Sequence, residues 1–380
     1  MTFGGFTMKK LLLNGTAVAG LALALTATPA AADLELGLGG HFSAYGVFAS
    51  QDDGAGEPGA DLHEFELMRE AEVYFMGETT LDNGLTVGAE IQLEGQTDGG
   101  DQIDESYIYM SGDWGRLNVG SENGAAYLLQ VGAPAVDKNF DGIDPEYIVV
   151  DGTNSALLAN GRGLNYGMGI GGQNDRGDTD KFTYLSPVFS GFQFGASYSA
   201  SLQEDASVRD GFTSDAAAGG ALKDSYEVAA RWAGEFDGVG VTAGAGWAQA
   251  EQEDEVAGED DREQWNVGLN FNVSGFTFGG AYFEDNNAVD SDGETTTYAL
   301  GVNYETGPYT VGASYLASET ETGASTEDEL SRVLVGGSYA YGPGMSFNGA
   351  VHFYELEDDA SAPAAENDAT VVTLGTVVKF

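Results

Sequence analysis

The chain has 380 residues, with 61 acidic against 14 basic side chains, a formal charge of −47 and no cysteine. That balance excludes nucleic acid as a partner, because phosphate contacts need a basic surface. A hydrophobic content of 42%, with 20 Phe and 18 Tyr, argues against the disorder that such acidity otherwise signals. No composition break or Pro/Ser-rich linker divides the chain, which reads as one large domain. The missing cysteines fit an envelope compartment without a disulfide framework.

Residues 1–32 read as a signal peptide. Met8-Lys9-Lys10 supplies a positive start, Leu11 to Thr26 an apolar core, and Pro29-Ala30-Ala31-Ala32 small residues for cleavage before Asp33. The core falls short of the roughly 20 apolar residues a spanning helix needs. An uncleaved N-terminal anchor is the alternative, and either Met1 or Met8 serves as the start.

From Asp33 onward the pattern is strand after strand. Leu36, Leu38, Phe42, Ala44 and Phe48 share one parity, with Glu35, His41, Ser43 and Tyr45 on the other. Phe65, Leu67, Ala71 and Val73 then alternate with Glu66, Glu70, Glu72 and Tyr74. Arg69 falls on the apolar parity there and predicts a bulge or an interfacial position. After the tight turn Asp82-Asn83-Gly84, the run Leu85 to Glu94 alternates with a clean period of two.

The rhythm stops between Glu122 and Asp180. The middle of this segment is an acidic turn, Asp137-Lys138-Asn139-Phe140-Asp141-Gly142-Ile143-Asp144-Pro145-Glu146. A structureless stretch of this length inside a domain is functional or disordered. Beyond it alternation resumes, through Phe192 to Tyr198, Tyr226 to Trp232, Val239 to Trp247, Trp265 to Phe271 and on to Val372 to Phe380. Small residues crowd the faces opposite these apolar sets.

Connections alternate too. Asp113-Trp114-Gly115, Ser190-Gly191, Asp237-Gly238, Ser274-Gly275 and Gly307-Pro308 are short. Glu251 to Glu263, Glu284 to Glu294, Glu319 to Glu329 and Glu355 to Asp368 are long and acidic. Short turns on one rim and long loops on the other describe an all-β chain closed into a transmembrane β-barrel of the outer-membrane kind. A soluble antiparallel sandwich also alternates but would bury its aromatic face. The count is sixteen strands, five before the central segment and eleven after it. A barrel of that size holds water in its bore.

Gly77-Glu78-Thr79, Gly112-Asp113-Trp114-Gly115-Arg116-Leu117-Asn118-Val119-Gly120, Lys181 to Pro187 and the aromatic Phe380 stand in the order and spacing of a known family. The sequence resembles the general bacterial porins of Gram-negative outer membranes over nearly all of residues 33–380. The resemblance implies a homotrimer of 16-stranded antiparallel barrels whose third long loop folds inward as a constriction, the place Glu122 to Asp180 occupies. It implies passive transport of small hydrophilic solutes and ions, with Phe380 ending the last strand as the assembly signal. One departure is that the fifth strand ends Gly120-Ser121-Glu122 where the family often has Gly-Arg-Gln, so a cation near the narrowest point is replaced by an acid.

On this reading Asp137, Asp141, Asp144 and Glu146 lie at the constriction. Arg116, Lys181, Arg231, Glu70, Glu72 and Glu122 are candidates for the lumen wall. The leader carries only Lys9 and Lys10, so its removal takes the charge to −49, and a negative bore would prefer cations. Asp137-x-Asn139-x-Asp141-Gly142 opens like a calcium loop, but Ile148 stands where the bidentate Glu belongs. A calcium site and a plain acidic turn both stay open, and no other cofactor is expected. The acidic outer loops either solvate the rim or bridge through divalent cations to lipopolysaccharide. No enzyme is expected. There is no Gly-x-Ser-x-Gly elbow and no zinc-spaced Cys/His cluster, while His41 and His352 fall on polar faces as water-exposed lumen residues. A plugged structural or adhesive barrel and a substrate-specific porin are the competing functions.

Overall fold

The computed structural model describes residues 35–51, 63–95, 103–143, 177–202, 222–252, 258–290, 293–323, 326–358 and 365–380. The signal-peptide assignment at 1–32 lies outside them, as do Asp144 and Glu146.

Sixteen antiparallel strands follow one another around a closed barrel. Before the central segment come β1 (Glu35–Gln51), β2 (Phe65–Thr80), β3 (Thr86–Glu94), β4 (Ile103–Gly112) and β5 (Gly115–Ser121). After it come β6 (Asp180–Leu185), β7 (Phe192–Ser201), β8 (Leu222–Phe236), β9 (Val239–Gln252), β10 (Arg262–Val273) and β11 (Phe276–Asp285). The ring is completed by β12 (Thr295–Thr306), β13 (Tyr309–Gly323), β14 (Thr326–Gly342), β15 (Met345–Asp358) and β16 (Ala365–Lys379). β16 pairs back onto β1, and Gly40 and Phe380 exchange both backbone hydrogen bonds at 3.0 and 3.1 Å.

Alternation decides which side faces out. On β3 Ile91 is exposed while its neighbour Gln92 is buried, and Leu67 on β2 is 74% exposed. Large apolar side chains outside and polar ones inside invert the order of a water-soluble sandwich, and suit a wall between lipid and a wet bore. Three short turns show why their sequences are X-Gly. φ is positive at Ser190 and Gly191 (52° and 90°), Asp237 and Gly238 (48° and 79°), and Ser274 and Gly275 (52° and 85°). Two successive left-handed residues give the hairpin turn whose twist matches the strands, and glycine takes the second place without a Cβ clash.

One expectation is narrowed and three need correction. Of the two alternatives for Arg69 the bulge is absent, since the β1–β2 register runs unbroken through Ala44 and Arg69, and its exposed place on the outer face above the last β2–β3 pair, Glu72 with Glu94, agrees with the interfacial one. Glu319 to Glu329 is mainly strand, because β13 and β14 stay paired out to Gly323 and Thr326. Glu355 to Asp368 likewise carries β15 to Asp358 and restarts β16 at Ala365. Polar residues continue these ladders because strands projecting past the membrane need no apolar face. The central segment is also not wholly irregular, since Ala125–Leu128 forms a single helical turn, α1.

Candidate functional site

After β5 the chain turns inward and follows the inner wall as a belt. Glycines on the inward parity of successive strands make its seat. A side chain at Gly195 on β7 would meet Ala125 at 2.9 Å and Leu129 at 3.0 Å, and one at Gly244 on β9 would meet Val131 at 2.7 Å. At Gly268 on β10 it would run into the Val131 carbonyl, and at Gly301 on β12 into the Pro134 carbonyl. Asparagines beside these glycines hold the belt. Asn270 donates to the Gly132 carbonyl at 2.9 Å and Asn303 to the Ala135 carbonyl at 2.8 Å. Backbone carbonyls buried against a wall need such donors.

The belt is locked beyond Val136. Tyr45, fully buried on β1, donates to Asp137 at 2.9 Å and accepts from Asn139 at 2.7 Å and from Asn348 of β15 at 2.8 Å. Phe140 packs edge-on against Tyr45, with ring centroids 4.7 Å apart, and against His352 at 5.7 Å. His352 is therefore covered by the loop and fully buried, contrary to the water-exposed position its parity suggested. Arg332 of β14 clamps the next turn, donating to the Phe140 carbonyl at 2.6 Å and to Asp141 at 2.7 Å. Burial raises the pKa of Asp137, opposed by the Tyr45 hydrogen bond. Burial also raises that of Asp141, opposed by the Arg332 charge.

The root of the loop is tied separately. Lys181 is buried and donates to the carbonyls of Glu122 and Gly177, joining the two ends of the segment. The acid that caps α1 is Glu227 of β8, which accepts from the Ala126 N–H at 2.9 Å and lies where any Cβ at Gly124 would stand. Leu129 packs on Leu185 and Ala229 as a small apolar cluster. Glu122 accepts from Asn118, and burial pushes its pKa up to about 7.

Inward residues of β2–β4 form an acidic arc. It comprises Glu70, which faces the His41 ring, and Glu72, Glu78, Glu90 and Glu105, which are held by neutral donors, among them Gln92 to Glu105 at 2.6 Å and Tyr107 to Glu90 at 2.9 Å. Neutral donors fix a carboxylate without cancelling its charge. Arg116 lies over the Tyr109 ring at 4.0 Å and donates to Asn118 at 2.7 Å. Lys138 is the exposed cation of the belt; partial loss of water, then repulsion by Lys379 and Arg231, holds its pKa below the usual range.

Asp137 and Asp141 thus face protein partners, and Arg116, Arg231, Glu70 and Glu72 lie on inward faces, with Glu122 and Lys181 at the root of the loop. The set Asp137, Asn139 and Asp141 does not form an oxygen cage. Asn139 presents its amide nitrogen to Tyr45, and a guanidinium stands beside Asp141. Arg332, Tyr45, Glu105 and Glu227 were missed by sequence reasoning. Parity marks Arg332 as inward, between the outward Ser331 and Val333, but nothing local marks its partner.

Fold and site together define a membrane-spanning barrel with a polar bore that is occupied from within by one of its own loops. A family model described as Gram-negative porin matches residues 17–359, and the chain belongs to that family. Its location is the outer membrane. Among solved structures, the anion-selective porin from Comamonas acidovorans is 16% identical with a TM-score of 0.64, covering 92% of this chain and 100% of its own. OmpT, an outer membrane protein of Vibrio cholerae, is 12% identical with a TM-score of 0.60, over 94% of this chain and 99% of its own. At such identities these structures share the fold alone. No curated protein sequence matches the chain.

Proposed function

We propose that the protein is a general diffusion porin which passes small hydrophilic solutes and ions, prefers cations and works as a homotrimer. The acidic arc of β2–β4 carries the reading of selectivity. Its carboxylates line one side of the bore, while Lys138, Arg231 and Lys379 supply a smaller positive set. In a narrow, partly shielded lumen such charges act at lower effective dielectric than on an outer loop. Asp137 and Asp141 act here by holding the loop in place, which sets the width of the passage.

The outer surface supports the trimer. Aromatic pairs ring the barrel on other strands, such as Tyr198 with Tyr226, Trp265 with Tyr282 and Tyr309 with Tyr339. The outward residues of β3–β5, including Val87, Ile91, Ile108, Met110, Leu117 and Val119, contain no aromatic. Aromatic belts mark lipid headgroup levels, so a gap in the belt suits contact with protein.

The reversal potential of the purified protein in a potassium chloride gradient tests selectivity. Cation preference is expected, falling several-fold when Glu70, Glu78 and Glu90 are replaced by Gln. It should also weaken as salt rises, because the Debye length shrinks from about 10 Å at 0.1 M to about 3 Å at 1 M. Chloride preference would refute it, absence of conductance would favour the plugged barrel, and saturation by one solute would favour a specific porin.

A further inference from the structure

A second cluster of side chains in the bore has no part in holding the loop. His41 of β1 lies between Glu70 and Glu72 of β2. His41 Nε2 is 2.9 Å from Glu70 Oε1, and Nδ1 is 3.7 Å from Glu72 Oε2. Tyr74 connects them, since its hydroxyl is 3.0 Å from His41 Nδ1 and donates to Glu72. A tyrosine hydroxyl has a single proton. Once that proton goes to Glu72, the contact with His41 requires Nδ1–H to be the donor. The imidazole is thereby held as the Nδ1–H tautomer, and in its neutral form Nε2 turns a lone pair toward the Glu70 carboxylate. Two electron-rich atoms 2.9 Å apart need a positive centre to share. A proton is one such centre and a metal ion is the other.

From this geometry we propose that His41, Glu70 and Glu72 form a site for a divalent transition-metal ion of the zinc class. One ligand atom from each of the three lies within 4.8 Å of the other two. Ligands about 2.0–2.1 Å from a metal stand roughly 2.9 Å apart at right angles and about 3.4 Å apart in a tetrahedron, so closure by less than about 2 Å completes the set. An imidazole with two carboxylates and positions left for water is a zinc-type donor set, whereas calcium prefers oxygen alone. The Nδ1–H to Tyr74 to Glu72 relay is the outer-shell bond that orients a metal-binding histidine. A second triad, Glu72 with Glu94 and Asp104, continues the same wall and adds negative charge beside the site. The opposing charge is Lys379, the cross-strand partner of His41 on β16.

The test is calorimetric titration of the chelator-stripped, refolded full chain with zinc chloride in detergent. It does not depend on conductance, so it succeeds or fails separately from the pore assignment. One zinc per chain is expected. Tyr74→Phe should weaken binding about 10–100-fold as a positioning change, and His41→Gln by more. Lys379→Gln should tighten binding, and His63→Gln, which removes an exposed histidine elsewhere, should leave it unchanged. Should His41→Gln fail to give the heat-shifted mobility of a folded barrel, Glu70→Gln is read in its place. Parent-like zinc affinity in His41→Gln or Glu70→Gln would overturn the site and leave a protonated His41 paired with Glu70. Equal competition by calcium would overturn it as well, because an acidic surface without imidazole selectivity would explain that result.

Discussion

At the scale of single residues, two side chains carry the loop's attachment in different ways. Arg332 satisfies a backbone carbonyl and a buried carboxylate together. Replacing it with Gln leaves Asp141 buried without its cation, and breaking a buried pair in this way costs about 3–5 kcal/mol. Arg332→Gln should therefore lower the detergent heat-denaturation midpoint and give larger, noisier single-channel currents. Glu122 acts through pH. Its folded pKa of about 7 lies above the ordinary value, so the folded state binds the extra proton. Its stabilising contribution is complete below about pH 4.3 and is lost as pH rises through about 7. Arg116 and Lys181 oppose this shift and Glu90 adds to it. Thermal unfolding of the parent should occur at a lower temperature at pH 8 than at pH 5, and Glu122→Gln should flatten that difference.

Among elements, the belt and its glycine seat form one unit. Gly268→Val places a side chain where the Val131 carbonyl lies, so the loop must lift from β10. Conductance should change while the barrel still assembles. Gly240→Ala on β9 meets only Asn272, at an ordinary 3.5 Å, and should behave as the parent. The strands were legible in the sequence because a period of two reports one local choice, inside or outside, at every residue. Small residues on the inward parity were equally plain, as at Gly244 and Gly268. What they make room for was not, because the contact of Gly268 with Val131 joins distant segments that no periodicity links. Strand ends near Gly323 were misjudged for a related reason: past the membrane the outward face no longer has to be apolar, and the signal fades while the ladder continues.

For the whole molecule, the outer surface distinguishes lipid from protein neighbours. Ile108 of β4 and Leu300 of β12 are similarly exposed, at 53% and 57%. An Arg on a lipid-facing midplane position costs about 2–4 kcal/mol. Leu300→Arg should therefore reduce the yield of folded barrel without changing its oligomeric order. Ile108→Arg should release single barrels from a trimer, read as loss of the slow-migrating species on unheated gels with heat-modifiable mobility retained. Equal effects of the two variants would place lipid, not a second copy, against β3–β5.

The seam between β1 and β16 has a kinetic meaning. The two strands that close the ring are the farthest apart in the chain, so neither edge is satisfied until nearly every other strand is in place. Contacts between such distant segments form late, and an open sheet with apolar outward residues is prone to pair with other chains while it waits. The charge of −47 offers a counterweight. Mutual repulsion keeps unfinished copies apart in water, so the same acidity proposed to select cations in the finished bore also protects the unfinished chain on its way to the membrane.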